Sequence, residues 1–542
     1  MREFSIRHES NSSFLNAERH FHEGLTRWNY FPNQKLSASE IPPSITSRGF
    51  TPEVAQKLLT STLGLRRARE GFDFVQYRST RYNNISRSLG LIHPFAMAKI
   101  VQVLTDNYAE VVTGLQSPES AIKVDAHHDG RMLIMNYGNQ EDKERHALHA
   151  DFGKRYRVHT DIANCFGSVY THSLEWAIQG FEAAKANLGQ QSTHWSTKLD
   201  KALQFAKRKE TIGIPVGPGV SSVAVELILS KVDEQLRQKY SFVRYVDDYT
   251  ASCATEEQAN DFILDLSKSL ASYRFALNLS KTRVIELPDP LQEAWVALLL
   301  NAAPPALQTA DALSTKDAFR FLDYAVKLNK ETPDGSVLKF AITMIAGHVK
   351  DAAAADVLRY VINLCWYFPV LLPLLENIDA RSTYYDKSII GAQINEIIYL
   401  SAKYRRSDGI CWGLYYLERL GIDPTEGSIT AIFDTNDCIA LTLLSRFINA
   451  MDRVIAHANL IAQQHAYHKD QNWLLLYQLF LANKINNPYA GEECFEILKK
   501  YDVNFLCNPN TFSKAEHYCF AFSNPFADPG DPIPNFDSFI DA

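Results

Sequence analysis

Apolar residues recur along this chain with two spacings, and the texture changes near residue 291. Around Val54, Leu58 and Leu59 they fall three to four positions apart, which predicts helix for residues 51–116. Between 117 and 290, short β-rich runs alternate with helical stretches. Residues 156–162 read as a strand and 173–186 as a helix. Residues 220–236 read as an amphipathic helix, with Val223, Leu227 and Val232 among polar positions. Residues 241–252 read as two short strands joined by a tight acidic turn, and 260–273 as helix again. That order predicts an α/β sheet with helices packed on one face. Beyond Leu291, helical spacing runs through Leu298, Leu313, Phe321, Ile342, Leu358 and Ile397 with few strand signals. An α-helical region to about residue 520 is expected, without a fixed repeat period. The domain reading is residues 1–60 as an N-terminal extension of low regularity, 61–290 as a mixed α/β unit, 291–523 as a helical unit, and 524–542 as a flexible, acidic, proline-bearing tail.

Composition narrows this picture. A chain of 542 residues with 46% hydrophobic residues can build two or three cores. The net charge of -7 excludes a generally basic protein, so any nucleic-acid contact requires positive charge gathered in a groove. The eight cysteines form no C-x-x-C pair, which argues against a zinc ribbon or disulfide scaffold and predicts buried free thiols. No signal-peptide core and no apolar run of membrane-spanning length are present, so the expected compartment is the cytoplasm, with no membrane. The Trp366-Tyr367-Phe368 run reads as core, with an interface as the other reading.

Three elements carry chemistry. Tyr245-Val246-Asp247-Asp248 lies between two β-rich runs, and a hairpin turn can aim paired carboxylates into a cleft. Alone, such a turn is usually a solvated loop. Val158-His159-Thr160-Asp161 ends an apolar strand, so its acid can meet those of the hairpin in one sheet. Together they could hold two Mg²⁺ about 4 Å apart, which suits phosphoryl transfer. Between these elements lies Gly213-Ile214-Pro215-Val216-Gly217-Pro218-Gly219, followed by Ser221 and a helix, where glycines allow close backbone approach.

The order Thr160-Asp161-Ile162-Ala163-Asn164-Cys165-Phe166, then Gly213 to Pro218 with Ser221, then Tyr245 to Asp248, then Leu277-Asn278-Leu279-Ser280-Lys281-Thr282, resembles palm motifs A to D of reverse transcriptases. The resemblance covers roughly residues 75–290. The segment Gly167-Ser168-Val169-Tyr170-Thr171-His172-Ser173 resembles the bacterial abortive-infection and antiphage-defence reverse transcriptases. It implies a right-hand polymerase with fingers and an RRM-like palm sheet, followed by an α-helical, thumb-like C-terminal domain. By resemblance, Asp161 and Asp247 are metal ligands, Asp248 the supporting acid, and the Ile162 carbonyl a backbone ligand. The ions are two Mg²⁺, with Mn²⁺ as a substitute. Phe166 falls at the sugar-gate position, where a ring clashes with a ribose 2′-OH and favours dNTPs. Gly217, Pro218 and Ser221 line the nucleotide. Lys281 is placed to protonate pyrophosphate. Arg131 and Arg145, the latter beside Lys143, suit the triphosphate.

The basic runs Arg66-Arg67-Ala68-Arg69 and residues 78–87, interleaved with Phe72, Phe74, Tyr77 and Tyr82, are positioned to track a strand by charge and stacking. Where many reverse transcriptases carry Gln after the loop proline, this chain carries Val216, which removes a side-chain contact near the nucleotide. Neither an HNH-type cluster nor an RNase H set follows residue 290, which argues against integration. The implied partners are dNTPs, a DNA product, a noncoding RNA template, and a second copy or a defence-system protein. Template-independent or protein-primed synthesis is a close variant. The other readings are a catalytically silent RNA-binding scaffold and a retroelement polymerase.

Overall fold

The computed structural model describes residues 14–32, 40–61, 67–81, 83–124, 131, 133–135, 140–186, 193–309, 312–333, 336–382, 385–489 and 491–506, with the pairs 516–517 and 536–537. Arg66, Tyr82, Cys507, Cys519 and most of the expected tail lie outside them, as does the Lys143 side chain.

Among the described residues, eight strands form three sheets. β1 (Phe74–Thr80) and β2 (Ser86–Ile92) make an antiparallel hairpin. β3 (Ile122–Val124) and β4 (Leu133–Met135) make a short second one. The third sheet contains β5 (Tyr156–Asp161), β6 (Phe242–Tyr245), β7 (Asp248–Cys253) and β8 (Arg283–Glu286), in spatial order β6-β7-β5-β8 and antiparallel throughout. Helices link β5 to β6, and the helix Glu256–Ser272 links β7 to β8, which is a split β-α-β order. The long helix Gly219–Leu236 and the helix Glu256–Ser272 pack against each other, and the latter against β5 and β7. The outer edge of β6 is covered as well: Arg244 N–H donates to the Glu119 carbonyl at 2.7 Å, and Ala121 N–H to the Arg244 carbonyl at 2.8 Å.

Where helix was expected across 51–116, the helix Pro52–Leu59 gives way to the β1-β2 hairpin before the helix Pro94–Asp106 resumes. Val75 and Tyr77 alternate into the core, a period-two signal that a helical reading of the flanks overrides. Residues 14–32 are no irregular extension either. The helix Phe14–Glu23 continues into a π turn, and Phe21, Leu25, Tyr30 and Phe31 are buried. The expected 173–186 helix breaks at Gly180, whose φ is +87°, into Ser173–Gln179 and Phe181–Ala186.

From Ala294 to Lys500 the described secondary structure is helical. These helices fold back onto the β1-β2 hairpin. The helix Ser407–Leu420 presents its first residues to the edge of β1: Arg78 N–H donates to Ser407 Oγ at 2.8 Å and Thr80 N–H to Asp408 Oδ2 at 2.8 Å. Side chains thus satisfy edge amides that would otherwise be unpaired. Trp473 Nε1 donates to the Leu91 carbonyl at 3.2 Å. Arg67 forms a buried ion pair with Asp470 and stacks on Phe72 at 4.3 Å. Phe72 and Tyr77 are fully buried, so these members of the basic-aromatic runs serve packing and offer no face to a nucleic-acid strand. Trp366 and Tyr367 are 41% and 55% exposed, against the core reading. The six described cysteines are buried and free, as expected. Among the described residues no helix is long and apolar enough to cross a membrane.

Candidate active site

Register brings the acids together. β5 and β7 pair so that Asp161 stands opposite Asp248. β6 and β7 pair Tyr245 with Asp248, leaving Val246 and Asp247 as a two-residue turn. Val246 has φ +60°, the value a type II′ turn asks of its first residue and one that a β-branched side chain resists. The turn is held from both sides. Ile162 N–H donates to the Asp247 carbonyl at 3.1 Å, and Arg244 Nη1 donates to the Val246 carbonyl at 3.0 Å.

Behind the turn lies a network that the sequence reading did not contain. Arg244 is fully buried and bonds two acids of the long helix: Glu226 at 2.8 and 2.9 Å, and Asp233 at 2.7 and 3.0 Å. Asp233 also accepts from Tyr249 Oη at 3.1 Å and Ser117 Oγ at 2.7 Å. A buried ion pair is tolerated when hydrogen bonds fill its remaining lone pairs, and here they do. The available signal was Glu226 and Asp233 themselves, two acids seven residues apart on one face of a helix rich in apolar residues.

Asp161 is 6% exposed, and its Oδ1 is buried without a hydrogen-bond partner among the described residues. Its Oδ2 pairs with the Lys281 ammonium, and its carbonyl accepts Asn278 N–H at 2.7 Å. Burial, then Asp248, then Asp161 push the Asp247 carboxyl up to about 6. Burial and Asp161 raise Asp248. The hydrogen bond to Asp161 raises Lys281, which stays an ammonium at neutral pH. Three crowded carboxylates with one orphaned oxygen form a site short of positive charge, and this donor set fits divalent cations with oxygen preference.

The glycine loop docks against the turn that follows β5. Ile214 N–H donates to the Phe166 carbonyl at 3.0 Å and Gly213 N–H to the Val169 carbonyl at 2.7 Å. Gly213 has φ +78°, and a Cβ there would sit 2.9 Å from the Gly167 carbonyl oxygen. At Gly217, φ +116°, a Cβ would meet Pro32 at 2.5 Å. The loop is therefore held by the buried N-terminal residues as well as by the sheet. Val216 packs against the core and its carbonyl accepts Gly90 N–H at 2.9 Å. Pro218 caps the long helix, and Ser221 Oγ is buried in its first turn without a hydrogen-bond partner among the described residues. Phe166 is half-buried. Of the expected site residues, Asp161, Ile162, Asp247, Asp248 and Lys281 come together through these contacts, whereas Phe166 is tied by its carbonyl to the glycine loop that carries Gly217 and Pro218, with Ser221 at the helix start. Arg131 lies between β3 and β4, and Arg145 is exposed on the helix Gln140–Asp151. None of the register pairs or loop hydrogen bonds that build the acidic cluster involves either arginine.

Residues 90–326 match the family model described as reverse transcriptase (RNA-dependent DNA polymerase). The matched domain is that of a nucleotidyltransferase. No curated protein sequence matches the chain. Solved structures similar to it include apo telomerase from Candida tropicalis truncated from the C-terminal domain, with 13% identity, TM-score 0.27, and 44% of this chain and 56% of that one covered. Apo telomerase from the same organism aligns at 11% identity and TM-score 0.29, over 75% of this chain and 72% of that one. Telomerase from Candida albicans, in complex with a fragment of telomeric RNA, aligns at 10% identity and TM-score 0.28, over 78% and 70%. The chain thus spans little more than half of the first of these, and superpositions this loose assign no role to any residue.

Proposed function

From the premise that residues 90–326 form a reverse-transcriptase domain, we propose that this protein is a DNA polymerase that adds dNTPs by phosphoryl transfer, with β5 to β8 as its palm sheet and the β1-β2 hairpin in its fingers. The observation that carries this reading is the cross-strand pairing of Asp161 with Asp248 beside the Asp247 turn, with Asp161 Oδ1 left unpartnered. Asp161, Asp247 and Asp248, with the Ile162 carbonyl, would hold two Mg²⁺ or Mn²⁺. When bound, these ions neutralise the triphosphate and make the attacking 3′-hydroxyl more acidic. Lys281 neutralises Asp161 in the metal-free site. With Asp161 holding a metal instead, the Lys281 ammonium would be free to donate a proton to the leaving pyrophosphate. Phe166 stands at the sugar position, and its backbone is fixed by Ile214. Gly217, Pro218 and Ser221 lie where the base and sugar would rest, and Arg131 and Arg145 serve the triphosphate.

The segment Gly167 to Ser173 and the helices after residue 294 support a role in bacterial antiphage defence in the cytoplasm, with a noncoding RNA as template or with synthesis primed by the protein itself.

The test uses the purified protein and its Asp247→Asn, Asp248→Asn variant, each with Mg²⁺ and labelled dNTPs or rNTPs, with and without primed templates and co-purified RNA. DNA made only by the intact protein is expected, with loss of about three orders of magnitude in the variant, the worth of several kcal/mol of charge stabilisation. Product that enters a gel only after proteolysis identifies a protein primer, and product lost on RNase pretreatment identifies an RNA template. Incorporation equal in both proteins, or absent from both under every condition, overturns the reading.

A further inference from the structure

The Tyr170-Thr171-His172-Ser173 stretch belongs to the segment that resembles defence polymerases, yet nothing in the phosphoryl-transfer chemistry uses His172. In the structure it meets two acids. His172 caps the helix Ser173–Gln179, Glu175 lies in that helix's first turn, and Asp200 faces them from the helix Trp195–Phe205. A ring nitrogen of His172 and one oxygen from each acid all lie within 4.8 Å of one another. His172 Nδ1 is 2.7 Å from Asp200 Oδ2. Two carboxylate oxygens and an imidazole nitrogen thus crowd one small space.

We propose that His172, Glu175 and Asp200 form a binding site for a divalent first-row transition ion such as zinc, separate from the acidic cluster of the sheet. Three features support it. One imidazole and two carboxylates within reach of one centre make a zinc-type donor set, whereas Mg²⁺ favours oxygen ligands alone. Metal–ligand lengths of about 2.0–2.2 Å require only small side-chain movements from the present spacing. The ligands also have a supporting layer. Gln204 Nε2 donates to the other oxygen of Asp200 at 2.7 Å, and Thr197 hydrogen-bonds Glu175. Both supports come from the helix that carries Asp200, and Gln204 engages Asp200 Oδ1 while Oδ2 is left facing His172. The Asp200 side chain is 2% exposed and that of His172 39%, so the site is closed at Asp200 and open at the imidazole, where solvent would complete the coordination of a bound ion.

The ion would clip the two helices together beside the glycine loop. Gln204 Nε2 also reaches Thr171 Oγ1 at 3.3 Å, and Thr171 N–H donates to the Thr211 carbonyl at 2.9 Å, two residues before Gly213. Its effect is on the frame that carries the loop, not on the reacting atoms.

The experiment strips the full-length protein with a chelator and titrates Zn²⁺ against a competing chromogenic chelator in excess Mg²⁺, which occupies oxygen-only sites. One equivalent of zinc is expected, with a rise in melting temperature. His172→Gln and Glu175→Gln should weaken zinc by at least about a hundredfold, and Gln204→Ala by about tenfold. The Asp247→Asn, Asp248→Asn variant should bind it unchanged. Equal melting temperatures of the variants in chelator show that they fold. No zinc in the wild type, unchanged binding in both ligand variants, or loss in the Asp247, Asp248 variant overturns the proposal. Because the readout is metal binding and melting, its failure is distinct from failure of the polymerase reading.

Discussion

Val246 and Asp247 show how one turn stores two kinds of strain. Val246 holds φ +60° because Arg244 grips its carbonyl and the strands on either side fix the register. Glycine adopts that conformation freely, so Val246→Gly should stabilise the protein by about 1 kcal/mol in urea unfolding, strain relief exceeding the added chain entropy. At Asp247 the strain is electrostatic. Its carboxyl titrates near 6 in the fold against 3.8 when unperturbed, so the native state binds more protons between those values. The contribution of Asp247 to metal-free stability then falls as pH rises from about 4 to about 6, because stability rises with pH only where the unfolded chain holds more protons. Asp247→Asn removes that term, and its melting temperature should overtake the wild type's as pH is raised through this window in chelator. A difference between variant and wild type that stays constant through this window would contradict the assigned burial.

Between elements, the Arg244 network joins hairpin to helix. Glu226 and Asp233 sit seven residues apart, two turns along the long helix, and both reach a guanidinium carried by β6. Arginine meets both carboxylates with one rigid fork, which lysine cannot do. Arg244→Ala would leave two buried acids without a counter-charge, at a cost of about 3–5 kcal/mol in unfolding measurements. A loss below about 1 kcal/mol would mean that water already reaches these acids. The same connection explains how the strained turn keeps its place: the helix that begins at the glycine loop also anchors the residue that holds the Val246 carbonyl.

Across the whole molecule, the C-terminal helices act on the β1-β2 hairpin by capturing its edge. Asp408 is buried and accepts from Thr80 N–H and Thr80 Oγ1, at 2.8 and 2.9 Å, and from the Gly409 amide. Asp408→Ala exposes an edge amide in a buried setting and should cost about 1–3 kcal/mol. Hydrogen exchange should show faster opening of β1 in that variant while β5 and β7 keep their protection. Uniform loss of protection would mean that hairpin and sheet open as one unit. Arg67 with Asp470 and Trp473 with Leu91 make further ties, so the helical region and the hairpin share one continuous core.

Local sequence determined a good part of this. The strand ending in Asp161, the paired strands around Val246-Asp247, the long helix after the Gly-Pro loop and the helical texture beyond residue 291 are each written in periods and turn residues that act over a few positions. Only the tertiary structure decided what these elements meet. The hairpin within 51–116 was hidden because the alternation at Val75 and Tyr77 is short and flanked by helical spacing, and because pairing with β2 and capture by a distant helix supply what local propensity lacks. The polar N-terminal stretch conceals Phe21, Leu25, Tyr30 and Phe31, whose burial depends on a surface made by later residues. Nothing local distinguishes Arg244 from other charges, because its two acids come from another element. Lys281 could be assigned to a motif, but its pairing with Asp161 follows from the return of the chain beside β5. Trp366 and Tyr367 look like core by composition and are exposed, because hydrophobicity states a preference while the fold has limited interior to grant it. Short-range patterns encode the shape of each element. Register, burial and charge pairing arise when those elements compete for the same interior, and one stretch of sequence does not specify the outcome.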